Sequence, residues 1–265
     1  MILEKLIDRL KNLKPRWLWI LGGIFSLLFI YSLILLLTLP NVAWLKKENP
    51  VETAMMKYRQ EQENKKNDTK SSHAKTVKKL SKWTRLSRIS PYLIQAVLIA
   101  EDDKFYQHEG FDWEEINESL EKNINKGQIM RGGSTITQQL AKNLFLKPTR
   151  NPVRKFREAL IAVKLEKELS KNRILELYLN VIEWGTNIYG IGQASRIYFN
   201  KTPGTLSVSE AIRLASVLPN PHRFSATSNQ SRRMQTKRRL IVNRMLRRHV
   251  ISQEQYDQAL IELGL

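Results

Sequence analysis

The 265-residue chain contains no cysteine. That excludes a disulfide framework, and it leaves an oxidising compartment permitted without being indicated. Histidine is scarce as well. His73, His108, His222 and His249 stand singly, so their spacing offers no cluster of metal ligands. No stretch alternates polar and apolar residues well enough to read as a strand. Acidic residues are outnumbered 25 to 44 by Lys and Arg, for a net charge of +19 and a pI near 10.1. Such a balance suits a polyanionic partner: nucleic acid, anionic lipid headgroups or a phosphorylated substrate.

Between Trp17 and Leu39 charge is absent altogether. As a helix these positions rise about 34 Å, enough to cross a bilayer core with some tilt. A secretory signal has a shorter apolar region, ~7–15 residues. Leu39-Pro40-Asn41-Val42-Ala43 is also a poor cleavage site, so the span reads as an uncleaved anchor. Lys5, Arg9, Lys11, Lys14 and Arg16 precede it; Lys46, Lys47, Lys57 and Arg59 follow. The short basic arm favours a cytoplasmic N-terminus and a domain outside the cytoplasm, where nucleic acid loses ground as a partner.

About 220 residues follow the anchor, which fits one domain. The expected organisation is a cytoplasmic arm over 1–16, a transmembrane helix over 17–39, a juxtamembrane segment and linker over 40–80, and a catalytic domain over 81–265. The polar run Gln60–Asp68 reads as solvated linker, whereas Met55, Met56 and Tyr58 offer a docking face to the domain or the membrane surface.

From Trp83 onward the periodicity is helical. Ser90-Pro91 opens an apolar helix through Ala100, and Asp112-Trp113-Glu114-Glu115 starts another. Asn151-Pro152 begins a helix reaching about Leu169, with Phe156, Leu160 and Val163 expected as its core face. Ser207–Glu210 and Ser252–Gln255 match the capping box. The fold is expected to be all-α.

Two acids stand out. Glu101 ends the apolar helix in Glu101-Asp102-Asp103. Burial beside Val97 and the negative helix end would both suit a general base, although a solvated acidic turn is the plainer reading. Glu158 lies four residues after Arg154, where an ion pair is the plainer reading. Between them runs Arg131–Leu146, in which Gly132 and Gly133 precede a dense set of hydroxyls and amides. Such groups suit sugar hydroxyls and phosphate oxygens, and equally a capped amphipathic helix. It is not a P-loop, because the Gly-Lys-Ser/Thr ending is missing. The basic C-terminal run Arg232–Arg248 reads as a solvated helix face in preference to a headgroup contact.

Five segments, in order, resemble the peptidoglycan glycosyltransferases (glycosyltransferase family 51), specifically the monofunctional biosynthetic transglycosylases. They are Glu101–Asp112, Gly132–Leu146, Arg154–Glu166, Lys171–Asn180, and Ala194–Lys201 with Glu210 to Pro221. The resemblance implies a mainly helical, lysozyme-like domain with a smaller membrane-facing lobe. It also implies a substrate, lipid II, polymerised into glycan strands with inversion and release of undecaprenyl pyrophosphate on the outer face of the cytoplasmic membrane. By family role Glu101 is the base and Glu158 the second important glutamate. Substrate contacts are expected from Asp102, Phe105, Ser134, Thr135, Gln138, Gln139, Lys142, Asn143, Arg150, Arg154 and Lys155. His108 is expected to be structural.

Pyrophosphate is a good leaving group, so one base plus cations is a sensible set. No cofactor is required; a divalent cation could assist, but no ligand cluster supports one. The expected partners are lipid II, the growing strand and the membrane, with other cell-wall synthesis proteins as candidates and no nucleic acid. Ser72–Lys75 and Ser119–Lys122 match Ser-x-x-Lys, yet no Lys-Thr-Gly follows, so no transpeptidase domain is expected. Two rivals remain at this stage: a lytic enzyme on the same fold, which needs a proton donor, and a non-enzymatic binder of anionic polymers.

Overall fold

The computed structural model describes residues 15–67, 80, 83–126, 133–149, 151–228 and 231–265. They fall into two compact units, Met1–Pro40 and Asn41–Leu265. In the first, helix α1 (Pro15–Leu37) contains a stretch, Trp19–Leu37, long and apolar enough to cross a membrane. It stops two residues before the expected Leu39, where Pro40 disfavours helical backbone in the residue ahead of it.

The second unit is nearly all helix. Its elements are α2 (Ala54–Asn67), α3 (Pro91–Glu101), α4 (Trp113–Lys126), α5 (Ile136–Phe145), α6 (Pro152–Glu168) and α7 (Lys171–Val181). A hairpin of β1 (Glu183–Gly185) and β2 (Ile188–Tyr189) follows, then α8 (Ile191–Phe199), α9 (Val208–Val217), α10 (Arg232–Arg247) and α11 (Gln253–Leu263). The hairpin was not expected. It is too short to show a period of two, and its turn rests on Asn187 in the left-handed region (φ 62°).

Start signals in the sequence translate well into helix starts. Asp112 Oδ1 accepts from the Glu115 amide, Asn151 Oδ1 from that of Val153, and Ser207 and Ser252 both form capping boxes. Ser90 differs. Pro91 opens α3 as expected, but the Ser90 hydroxyl donates to the Leu206 carbonyl and so ties the helix start to a distant loop.

Two groups of helices meet at a seam. Helix α3 packs against α9 and α10, and α10 against α11; across the seam α5 packs against α6 and α7. Leu93, Ala96 and Val97 of α3 have no exposure, and full burial of each Leu- or Val-sized side chain contributes about 1.5–3 kcal/mol. On α7, Glu176 accepts from the Trp83 indole and the Leu86 amide, while Asn180 bonds both backbone groups of Thr84. The fourth motif therefore fastens the chain entering α3.

Two expectations change. Gln60–Asn67 is helical, within α2, rather than linker. Thr53 caps that helix through the Met56 amide, Met55 and Met56 are buried, and α2 packs on α5. Its charged tail is bound too, Glu61 to Lys147 and Glu63 to Asn187. On α6 the buried face is Glu158, Ile161, Ala162 and Leu165, while Phe156 and Val163 are 54% and 51% exposed. Both stripes fit a helical period, and Arg154 and Lys155 paired with Glu158 let the stripe that carries a carboxylate turn inward.

Candidate active site

Three acids at a helix C-terminus oppose the helix dipole, so each needs compensation. Each finds its own. Glu101, the last residue of α3, accepts from Lys237 Nζ on Oε1 (2.9 Å) and from Gln139 Nε2 on Oε2 (3.0 Å). Asp102 is buried, accepting from His108 Nε2 (2.8 Å) and from the backbone N–H of Ile136 (2.9 Å), the first residue of α5. There it places an anion at a helix N-terminus, the favourable end. Asp103 pairs with Arg244 (3.2 Å) and Arg248 (2.7 Å).

Gln139 is oriented from behind, because the Tyr178 hydroxyl donates to its Oε1 at 3.0 Å. Burial, then the charges of Glu101 and Asp102, push the Tyr178 phenol well above its usual value, so it stays a donor. A carboxylate only accepts, which turns the Gln139 amide nitrogen toward Glu101. The Glu101 oxygens each keep a further lone pair for an incoming hydroxyl proton.

Gly133, with φ +84°, leads into α5 through a backbone conformation that favours glycine. Thr135 and Gln138 then form a capping box, and the Thr135 hydroxyl donates to the Gly110 carbonyl (2.7 Å). Both are buried and serve the helix start, so their expected place on the substrate surface is corrected. An N-cap asks for the same hydroxyl and amide chemistry as a sugar does. Asp102 and Phe105 are likewise buried, at 3% and 1% exposure, although Asp102 borders the cavity beside Glu101. The Phe105 ring lies against Tyr106 and under the Lys171 ammonium, 4.5 Å from the centroid.

Further along α5, Asn143 Nδ2 donates to the Gln139 carbonyl (2.8 Å). The Lys142 carbonyl accepts from the Leu146 amide, but the Lys142 ammonium has no hydrogen-bond partner among the described residues. Burial lowers its ammonium below the usual lysine value, the Glu158 charge opposing that shift and Arg154 and Lys155 adding to it. Glu158, 3% exposed, pairs with Arg154 Nη1 (2.7 Å) and with Lys155, whose ammonium also donates to the exposed Ser134 hydroxyl (3.2 Å). The i,i+4 pair read from the sequence therefore exists, but in a buried form that gathers two cations beside Lys142. Arg150 lies outside the described residues.

Two cavities flank Glu101 and Gln139. One of about 680 Å3 is lined by Glu101, Asp103, Glu115, Lys237, Leu240 and Arg244. The other, about 280 Å3, is lined by Met55, Gln139, Lys142, Asn143 and the turn Leu218–His222. Among the described residues no three His, Asp or Glu side chains are grouped to hold a metal ion.

Helix α10 packs Ile241, Val242 and Met245 inward and exposes Arg232, Arg233, Arg239 and Arg247, as its amphipathic pattern suggests, but Leu240 stays 42% exposed. Arg238 departs from the basic face: it is wholly buried, donating to Ser216 Oγ and the Ser228 carbonyl. Burial lowers that guanidinium to about 10, still cationic at neutral pH. The sequence reasoning missed Lys237 and Tyr178. Tyr178 carried a signal, its place in the fourth motif; Lys237 was one lysine in a basic run.

A family model described as Transglycosylase matches residues 68–246. The chain is 43% identical over 227 residues to a biosynthetic peptidoglycan transglycosylase of Laribacter hongkongensis, covering 86% of this chain and 96% of that one. It is 44% identical over 216 residues to the protein of that description from an Azoarcus species, covering 80% and 89%. With its counterpart in Chromobacterium violaceum the identity is 49% over 164 residues, 62% of this chain and 72% of the other.

Proposed function

We propose, from the premise that this chain belongs to the transglycosylase family and is a peptidoglycan glycosyltransferase of cell-wall synthesis, that it polymerises lipid II by an inverting displacement with Glu101 as base. The Glu101 carboxylate takes the proton of the acceptor sugar's 4-hydroxyl. That oxygen attacks the anomeric carbon of the growing strand from the face opposite the lipid, and the bond to undecaprenyl pyrophosphate breaks. The leaving group departs with its electron pair as a phosphate oxyanion, which needs cations rather than a proton.

One observation carries this reading. Glu101 lines the larger cavity, and the amide bonded to it lines the smaller one together with the desolvated Lys142 ammonium. A base and a cation thus each line one of two cavities linked through the Glu101–Gln139 hydrogen bond, which suits acceptor and leaving group. Arg154, Lys155 and Ser134 extend the positive side, and Arg150 joins them by resemblance alone. A lytic enzyme needs a carboxylic acid facing its leaving oxygen. Glu158, with Arg154 and Lys155 on its two oxygens, is not disposed as one.

The membrane reading follows the same logic. Donor and acceptor are both lipid-linked, so a helix over Trp19–Leu37 would confine the domain to their layer and raise its effective concentration. The basic N-terminal arm favours a cytoplasmic N-terminus and an outward-facing domain in the cytoplasmic (inner) membrane.

Purified full-length protein supplied with lipid II in detergent is expected to yield glycan strands and free undecaprenyl pyrophosphate. Soluble fragments from mature glycan, with no polymer from lipid II, would sink the reading. Lys142→Ala is expected to weaken binding of lipid pyrophosphates by at least about tenfold, as loss of a charge-assisted contact does, and to spare neutral glycan. In the unaltered protein that affinity should decline with rising pH before the ordinary lysine range is reached, because the binding ammonium form is lost through a lowered pKa. Calorimetric titration at stepped pH measures both. Equal losses for charged and neutral ligands would remove Lys142 from its role.

A further inference from the structure

Lys237 and Arg244 are seven residues apart, within about 20° of each other around α10, and Arg248 follows four residues later as the helix C-cap. That stripe runs along the acidic turn closing α3: Lys237 bonds Glu101, and Arg244 and Arg248 bond Asp103. The two donors to Glu101 come from different helices, Gln139 from α5 and Lys237 from α10, and each takes a different oxygen. One hydrogen bond leaves a carboxylate free to swing about its own axis. A second, to the other oxygen, fixes its plane. The ion pair is well shielded, with the Glu101 side chain 10% and the Lys237 side chain 22% exposed. It is therefore screened less than a surface pair.

We infer that Lys237 is a positioning residue for glycosyl transfer: its ammonium fixes the Glu101 carboxylate in the plane from which the acceptor hydroxyl is deprotonated. A general base works only within about 2.6–3.2 Å of the group it deprotonates. A long side chain at the last residue of a helix does not hold that tolerance unaided. Lys237 acts through Glu101 and takes no part in bond making. Arg244 and Arg248 support it by anchoring Asp103, so that the backbone carrying Glu101 does not shift. This inference rests on the functional reading above.

The test is steady-state polymerisation of lipid II by the full-length protein in detergent, comparing Lys237→Met, Lys237→Gln and Lys237→Arg. Lys237→Met should lower kcat about 10–100-fold, the scale of a misplaced catalytic group, with KM within about twofold. Lys237→Arg, which keeps a charged donor, should recover most of kcat, and Lys237→Gln, a neutral donor, should fall between. Thermal unfolding identifies any variant that does not fold; should the Met variant be one, the ordering of Gln below Arg carries the test. A kcat for Lys237→Met near that of the unaltered protein would overturn the inference. So would a loss confined to KM, which marks a substrate contact, or an Arg variant that folds yet is no better than Met. Normal polymerisation by the unaltered protein beside any of these overturns Lys237's role alone. No polymer from the unaltered protein removes the functional reading, and this inference with it.

Discussion

Glu101→Gln is expected to lower the rate of glycan polymerisation by about 10²–10⁴-fold, the range over which a positioned acid or base acts, while the protein stays folded. The substitution keeps size and shape and removes only the capacity to take a proton. Its amide would set one –NH2 against a donor, either Lys237 or Gln139. A flip of Gln139 repairs this: its Oε1 then accepts from the new amide, and its Nε2 donates to the Tyr178 oxygen, which also has lone pairs. The carboxamide oxygen remains for Lys237. Circular dichroism and thermal unfolding should therefore match the unaltered protein closely, and lipid II should still bind. Retention of a tenth or more of the activity by a folded variant would assign the base elsewhere.

The second large effect concerns Glu158. Glu158→Ala is expected to lower kcat/KM by at least about tenfold and to destabilise the fold by about 1–3 kcal/mol, the cost of losing hydrogen bonds to charged groups. The estimate stays below that for a fully buried pair, because Arg154 and Lys155 are 22% and 50% exposed and recover hydration when released. Activity should suffer for a different reason. Glu158 holds two cations in place and partly offsets the desolvation of Lys142. Without it Arg154 and Lys155 separate, and Lys142 is less readily charged. Glu158→Gln, which keeps one acceptor, should lose less of both. Denaturant unfolding and lipid II kinetics measured on the same samples check the pair of effects. A Glu158→Ala protein with normal kcat/KM would show that the cations need no carboxylate to hold them.

Much of the site was legible in the residues because its chemistry is local. The motif carrying Glu101, the Gly-Gly approach to α5 and the Arg154–Glu158 spacing are contiguous, so a chain read in order presents them intact. Reading failed where one residue type serves two purposes. Hydroxyls and amides suit sugars, and the family resemblance adds Thr135 and Gln138 to the substrate contacts, yet both cap α5. Asp102 and Phe105 sit in the correct segment but point inward, as a turn that fixes Glu101 must have some side chains doing. Carboxylates are rarely buried, yet Glu158 lies on the core face of α6, where two cations brought by the same helix offset that cost.

The two glutamates stood out only through their resemblance to known motifs, but by itself the sequence determined the apolar stretch near the N-terminus, the helical class and most helix starts. Each of these follows from composition, period or spacing within a few residues. Only the tertiary structure decided what surrounds Glu101. Lys237 lies 136 residues away along the chain, and Gln139 and Tyr178 lie 38 and 77 residues away. No periodicity links such positions. They meet because α3 packs on α10 while α5 packs on α7, so the seam between the two helix groups closes on one carboxylate.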